Sequence, residues 1–162
     1  MNFVFISPNF PETYWNFCDR LKARGVNVLG VGDASYDSLD GRLKACLTEY
    51  YRVDSLEDYA QAYRAVAYFS WRYGKIDWLE SNNEYWLETD ARLRTDFNIT
   101  TGPRLKDIDK FKSKATQKIY YAKGGVPTAR QSQVTTPEAA KAFLEEVGEP
   151  VSVERGVGVG AE

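Results

Sequence analysis

The sequence contains no histidine and only two cysteines, Cys18 and Cys46, among its 162 residues. Without histidine, the chain can form no Ser-His-Asp triad, no Cys-His pair and no zinc finger. Two cysteines are too few for a disulfide framework and fit a reduced, cytoplasmic setting. Any general acid or base must therefore be Asp, Glu, Lys, Tyr or Cys. Any metal site must consist of oxygen ligands, which Mg²⁺ prefers.

The sequence also lacks a long hydrophobic run and a strong charge imbalance. No apolar segment approaches the roughly 20 residues that a membrane-spanning helix needs. The 21 Lys and Arg residues nearly balance the 23 Asp and Glu residues, for a net charge of −2. We therefore expect no membrane partner and no nucleic-acid partner. The hydrophobic share of 43% is enough for a sizeable core.

Short apolar runs alternate with amphipathic segments through the first hundred residues. The runs predict strands, and the segments with apolar residues three and four apart predict helices. Strands are predicted at residues 2–7, 26–31, 49–53 and 76–80, and helices at 12–24, 56–73 and 84–97; residues 42–47 lead into the third strand. This alternation predicts an α/β fold, a Rossmann-like parallel sheet with helices on both faces. Phe17, Leu21, Tyr63 and Val66 are expected to face the sheet.

The pattern changes after Gly102 and Pro103, which predicts a domain boundary between residues 1–102 and 103–162. The second part predicts a lysine-rich helix over 107–123, a strand over 129–135, a helix capped by Thr135 or Thr136, and a strand over 150–154. That last strand enters the glycine-rich stretch RGVGVGA and the sequence then stops. Because a strand followed by such a turn normally has a partner strand, the second domain is expected to be truncated.

Polar residues follow the first and fourth predicted strands. Pro8 and Asn9 come after the first strand, and Asn82 and Asn83 come after the fourth. Ligands bind at the carboxyl ends of strands in open α/β sheets, so these four residues are predicted to bind substrate. The alternatives are a proline-rigidified turn at Pro8 and Asn9, and a helix cap at Asn82 or Asn83. The absence of a GxGxxG motif argues against a dinucleotide site.

Two segments in the second part resemble the start of the nucleotide-binding domain of ATP-grasp ligases: KFKSKATQKIYYAKGGVPTAR and TTPEAAKAFLEEVGEPVSVERGVGVGA. The chain looks most like carboxylate–amine ligases or short carbamoyl-phosphate-synthase-like proteins, with residues 1–102 as the pre-ATP-grasp domain. The resemblance implies that Lys114, with Lys112 as the fallback, contacts the nucleotide, and that Gly156, Gly158 and Gly160 cover its phosphates. If the resemblance is set aside, the lysines predict a solvent-exposed helix face, and the glycines predict a flexible tail.

The resemblance implies an enzyme that uses ATP and Mg²⁺ to join a small-molecule carboxylate to an amine through an acyl phosphate. Glu154 departs from the pattern, because it stands where the family has a second phosphate-binding lysine and a carboxylate repels phosphate. The family's metal-binding carboxylates fall beyond residue 162, so no catalytic residue and no metal ligand is assigned within this chain. We expect the chain to be inactive alone. The alternative is a stand-alone Rossmann-like ligand-binding or interaction module without catalysis.

Overall fold

The computed structural model describes residues 1–148 and 150–153. The chain divides into two units, of which the first spans Met1–Leu105 and the second begins at Lys106. Among the described residues, no helix combines the length and apolar character that crossing a membrane requires.

The first unit is built on a sheet of four parallel strands. These are β1 (Asn2–Ile6), β2 (Asn27–Gly32), β3 (Glu49–Arg52) and β4 (Trp78–Glu80). Their order in the sheet is β3-β2-β1-β4, and Phe3 of β1 lies opposite Val28 on one side and Trp78 on the other. All five residues of β1 are buried, as expected of a central strand covered on both faces.

Helices cover both faces of this sheet. They are α1 (Trp15–Lys22), α2 (Gly41–Cys46), α3 (Tyr59–Tyr73) and α4 (Leu87–Asp96). One core cluster joins Val4 of β1 to Phe69 of α3 and Leu93 of α4. The other joins Phe5 of β1 to residues of α1 and α2. The predicted fold class, a parallel α/β sheet with helices on both faces, is confirmed.

The sheet-facing residues of α1 and α3 differ in part from the prediction. Phe17 is 49% exposed and Tyr63 is 41% exposed, so the prediction was wrong for both. Cys18 and Ala62, their neighbours in sequence, are fully buried. Small side chains at these positions let the helices approach the sheet closely, and the larger aromatic rings lie at the side. Val66 is buried and Leu21 packs against the core, as predicted.

The second unit begins with helices, but the predicted helix over 107–123 is interrupted. The structure has α5 (Asp109–Lys112) and α6 (Lys114–Lys123), separated at Ser113. Ser113 has an extended backbone, and its hydroxyl accepts a hydrogen bond from the Thr116 amide at 3.2 Å. A serine in this conformation caps the next helix instead of continuing the previous one.

Helix α7 (Pro137–Val147) begins as the sequence predicts. The hydroxyl of Thr136, one of the two threonines proposed as the cap, accepts from the Ala139 amide at 3.2 Å. Pro137 occupies the first turn, where its missing N–H removes no helical hydrogen bond.

The prediction of two strands in the second unit is wrong for the described residues. Residues 129–135 and 150–153 form no strand, and residue 154 lies outside the described residues. Hydrogen bonds that involve side chains connect the segment at 129–135 to α6 instead. Lys118 Nζ donates to the Ala129 carbonyl at 3.1 Å, and Gln131 Nε2 donates to the Ala115 carbonyl at 3.1 Å. Sequence patterning indicates extended backbone, but a strand also needs a neighbouring strand to bond.

Candidate functional site

The strand order changes direction between β1 and β4. From β1 the chain moves outward to β2 and β3, and it then crosses back to place β4 on the other side of β1. Phe5 lies opposite Glu80 near the carboxyl ends of these two strands, so the loops that follow begin side by side. Ligands of open α/β sheets bind at such a switch point.

The loop after β1 is tightly held at its start. The Ser7 amide donates to the Val31 carbonyl at 2.8 Å, and Ser7 has a φ of +52°. Pro8 is buried, and the peptide bond between Phe10 and Pro11 is cis. Asn9 differs from these residues because its Oδ1 atom is enclosed and accepts no hydrogen bond from the described part of the chain. Asn9 therefore has a buried acceptor that the described residues leave unsatisfied, which is uncommon in folded proteins.

The loop after β4 carries the other two predicted residues. Asn82 has a φ of +53° and is exposed. Asn83 caps the short turn that leads into α4, and its Oδ1 accepts from the Tyr85 amide at 2.9 Å. The capping alternative for Asn83 is therefore present in the structure. Whether Asn82 or Asn83 binds substrate stays a prediction.

Tyr14 connects the two loops. It lies in the turn that follows the β1 loop, and its hydroxyl donates to the Asn82 carbonyl oxygen. Next to Asn82, a groove with a volume of about 470 Å³ lies between α1 and β4, with Phe17 and Glu80 among its lining residues. The edge of the sheet thus offers polar groups from both loops and space for a small molecule beside them.

The structure places a buried carboxylic acid beneath the β4 loop that the sequence did not indicate. Asp90 of α4 is fully buried, and its Oδ2 accepts from the Ser81 amide at 2.9 Å and from the Ser81 hydroxyl at 2.7 Å. Burial raises the pKa of Asp90 to about 7, although the Ser81 hydrogen bonds and the nearby Arg94 charge lower it in part. Proton binding at Asp90 therefore changes near neutral pH.

Arg94 lies one helical turn beyond Asp90 and is also buried. Its Nε donates to the Leu79 carbonyl at 2.9 Å, and its Nη1 donates to the Pro103 carbonyl at 3.0 Å. Its Nη2 lies 2.7 Å from Glu80 Oε1. Burial raises the pKa of Glu80 despite this ion pair. The planar guanidinium carries several N–H donors, so Arg94 can bond β4 and the segment at Pro103 at the same time.

The sequence contains a weak signal for this pair. Asp90 and Arg94 stand four residues apart, so they share one face of α4. Leu93 and Ala91 of the same helix are also buried. Charged residues near an apolar stripe normally predict its solvent border, which is why both were missed.

The candidate nucleotide-binding lysines lie at the interruption between α5 and α6. Lys112 is the last residue of α5, and Lys114 is the first residue of α6. Two further lysines lie in this stretch: Lys110 pairs with Asp107 at 2.7 Å, and Lys118 donates to the Ala129 carbonyl. The proposed phosphate-covering residues, Gly156, Gly158 and Gly160, lie outside the described residues, as does Glu154.

A metal site is not evident in the described ranges 1–148 and 150–153. They contain no group of three or more acidic or cysteine side chains arranged to hold a metal ion.

Comparison with known proteins gives structural likeness only. No protein-family model matches the chain, and no curated protein matches it. The biotin carboxylase domain of Hydrogenobacter thermophilus 2-oxoglutarate carboxylase, solved with MgADP, ADP and bicarbonate, has a TM-score of 0.71 and 23% identity. The match covers 98% of this chain and 35% of that domain.

Two further structures extend the comparison. The biotin carboxylase domain of a single-chain bacterial carboxylase has a TM-score of 0.63 and 19% identity, with 91% of this chain and 35% of that one covered. The L-amino acid ligase of Bacillus licheniformis has a TM-score of 0.57 and 13% identity, with 90% of this chain and 42% of that one covered. The chain therefore has the α/β fold found in these carboxylase and ligase structures and spans well under half of their length.

Proposed function

We propose that the chain is the N-terminal part of an ATP-dependent carboxylate–amine ligase of the ATP-grasp type. Residues 1–102 would be the pre-ATP-grasp domain, and residues 103–162 would begin the nucleotide-binding domain. The observation that carries the proposal is a fold likeness over 98% of this chain to a carboxylase domain solved with MgADP and bicarbonate. The lysine-bearing segment and the GVPT turn of the second unit support the same assignment.

In this proposal the edge of the sheet receives a small-molecule substrate. Asn9 is half-buried in the loop after β1, and its side-chain amide would contact a polar group of that substrate. Pro8 fixes the loop in which Asn9 lies, and Asn82 and Asn83 supply amide groups from the neighbouring loop. The groove between α1 and β4 provides room beside Asn82. The substrates are a carboxylate and an amine, and the setting is cytoplasmic, where the free cysteines Cys18 and Cys46 would stay reduced.

The second unit contributes to nucleotide binding. Lys114, with Lys112 as the fallback, would neutralise part of the phosphate charge, and Gly156, Gly158 and Gly160 would offer backbone N–H groups to it. In the complete enzyme, a carboxylate oxygen takes the γ-phosphoryl group and ADP leaves. The amine nitrogen then attacks the acyl carbon, phosphate leaves, and the nitrogen loses a proton. Mg²⁺ would offset the phosphate charge in the first step.

The chain alone is proposed to bind ATP weakly and to catalyse nothing. Glu154 brings a negative charge to a position where the family has a lysine. A lost charge-assisted contact costs roughly 1.5–3 kcal/mol, and repulsion adds to that cost. Without the rest of the site, solvent also screens the contacts that remain.

An NMR titration with Mg-ATP tests the nucleotide assignment. We expect saturable shifts near Lys114 with a dissociation constant well above the low-micromolar range. Lys114→Ala should weaken binding about tenfold or more, corresponding to roughly 1.4 kcal/mol or more. Lys141→Ala, which removes the same charge from an exposed position of α7, should leave binding unchanged. A low-micromolar dissociation constant for the unmodified chain would contradict the incomplete site. If Lys114→Ala and Lys112→Ala both bind Mg-ATP as tightly as the unmodified chain, the lysine assignment is wrong.

The gene beyond codon 162 supplies an independent test. We expect it to encode the remainder of an ATP-grasp domain, in the same or a shifted reading frame. A gene without such a segment, together with no detectable Mg-ATP binding, would favour the stand-alone ligand-binding module.

A further inference from the structure

The Asp90 carboxyl group has two oxygens in different surroundings. Its Oδ2 accepts the two hydrogen bonds from Ser81, at 2.9 Å from the amide and 2.7 Å from the hydroxyl. Its Oδ1 is enclosed and has no hydrogen-bond partner in the described part of the chain. A proton can therefore bind at Oδ1 without competing with the two donors for Oδ2.

The charged groups that face Asp90 are Arg94 of its own helix and Glu80 at the end of β4. Arg94 favours the ionised acid, but its guanidinium also pairs with Glu80 at 2.7 Å and bonds the Leu79 carbonyl. Glu80 favours the protonated acid, as burial does. Because these influences oppose one another, the ionised and the protonated acid are both accessible close to neutral pH.

The hydrogen bonds of Ser81 continue into the loop. Its Oγ also accepts from the Asn83 amide at 3.2 Å. Asn82 lies between these two residues with a φ of +53°, a conformation that non-glycine residues seldom adopt without support. The Asn82 carbonyl in turn accepts a hydrogen bond from Tyr14. Asp90 is thus connected through Ser81 to the residues at the edge of the sheet.

The charge on Asp90 sets the strength of this connection. Hydrogen bonds to an ionised carboxylate are roughly twice as strong as those between neutral groups. We propose that Asp90 is a proton-controlled positioning residue for the β4 loop: the ionised acid holds Ser81, Asn82 and Asn83 at the edge of the sheet, and the protonated acid loosens them. This inference concerns the conformation of the loop and does not depend on which ligand the edge binds.

NMR spectroscopy of the whole chain between pH 5 and pH 8.5 tests the proposal. The carboxyl carbon of Asp90 should titrate near neutral pH, and the backbone amides of Ser81 and Asn82 should shift with the same midpoint. Protection of the Ser81 amide against hydrogen exchange, corrected for the intrinsic pH dependence, should rise about tenfold as Asp90 ionises. These shifts should be absent from Asp90→Asn and retained in Asp54→Asn, the same change at an exposed aspartate.

Each outcome is decisive. Titration of Asp90 below pH 5 would overturn the proposal, and so would loop shifts that persist in Asp90→Asn or an unchanged loop while Asp90 titrates. If Asp90→Asn does not fold, Ser81→Ala provides the comparison. Loss of the Ser81 hydroxyl removes a donor that favours the charged acid, so the Asp90 midpoint should rise. An unchanged or lowered midpoint in that variant would also overturn the proposal.

Discussion

Replacement of Arg94 by alanine should destabilise the first unit more than most single substitutions in this chain. The variant loses the hydrogen bonds to the Leu79 and Pro103 carbonyls and leaves Glu80 without its cationic partner. Removal of one member of a buried ion pair typically costs roughly 3–5 kcal/mol. The Glu80 side chain is 23% exposed, so water can offset part of this loss and we expect the lower end, about 3 kcal/mol.

Urea and thermal unfolding at pH 7, followed by far-ultraviolet circular dichroism, measure this effect. For a unit of this size, about 3 kcal/mol corresponds to a decrease in Tm of roughly 10–20 °C. Arg64→Ala removes the same side chain from an exposed position of α3 and should change the free energy of unfolding by less than about 0.5 kcal/mol.

A double-mutant cycle separates the ion pair from the backbone contacts. In a Glu80→Gln background, Arg94→Ala should cost less, because no unpaired carboxylate remains. The cost should not vanish, since the carbonyls of Leu79 and Pro103 still lose their donors. A total loss below about 1 kcal/mol in the wild-type background would refute the reasoning that Arg94 joins β4 to the segment at Pro103.

Three further predictions concern the same unit. Val66→Ala should lower the free energy of unfolding by about 2 kcal/mol. Tyr63→Ala should lower it by less, because Val66 is fully buried and Tyr63 is not. Equal losses of the two variants in urea unfolding would contradict this prediction. Gly102→Ala should be destabilising, since φ is +92° and a Cβ would lie 2.9 Å from Arg94 Nε; an unchanged Tm would show that the segment adjusts. Asp90, with its pKa raised to about 7, binds more protons folded than unfolded between about pH 4 and 7. The free energy of unfolding should therefore fall as pH rises through this range, by at most roughly 1.4 kcal/mol per pH unit. Urea unfolding of Asp90→Asn should not show this decrease with pH.

Much of the first unit could be predicted from local sequence pattern. The apolar runs led to four strands in their observed places, and the parallel arrangement followed from their alternation with helices. The sequence also predicted that Pro8 and Asn9 lie at the same edge of the sheet as Asn82 and Asn83, because the loops after neighbouring parallel strands begin at one edge. These features depend on which residues avoid water and on their spacing, and both can be read along the chain.

The exact orientation of the helices could not be predicted in the same way. Phe17 and Tyr63 match the helical spacing of core residues, but the structure buries Cys18 and Ala62 instead. A stripe of apolar residues defines a broad face, and the distance between helix and sheet decides which part of that face makes contact. That distance depends on packing against residues far away in sequence.

The second unit shows where local pattern is insufficient. Thr136 was identified among the possible caps of α7, since a cap involves residues that are close in sequence. The segments at 129–135 and 150–153 read as strands in the sequence, but the part of the chain that the structure describes has no strand at either place. A helix cap is a local interaction, and a strand is defined by its partner.

The buried acid and the guanidinium depended on tertiary structure alone. Nothing in the sequence pattern indicates that Asp90 and Arg94 are buried, because isolated charges are costly to bury. The fold makes their burial acceptable through donors from Ser81 and through acceptors at Leu79, Pro103 and Glu80. These partners come from β4, from the loop after it and from the segment after α4. They surround the two charged side chains only in the folded structure, so the sequence pattern of α4 alone does not reveal them. Local sequence determined the elements and their order, and long-range contacts decided which polar groups the elements enclose.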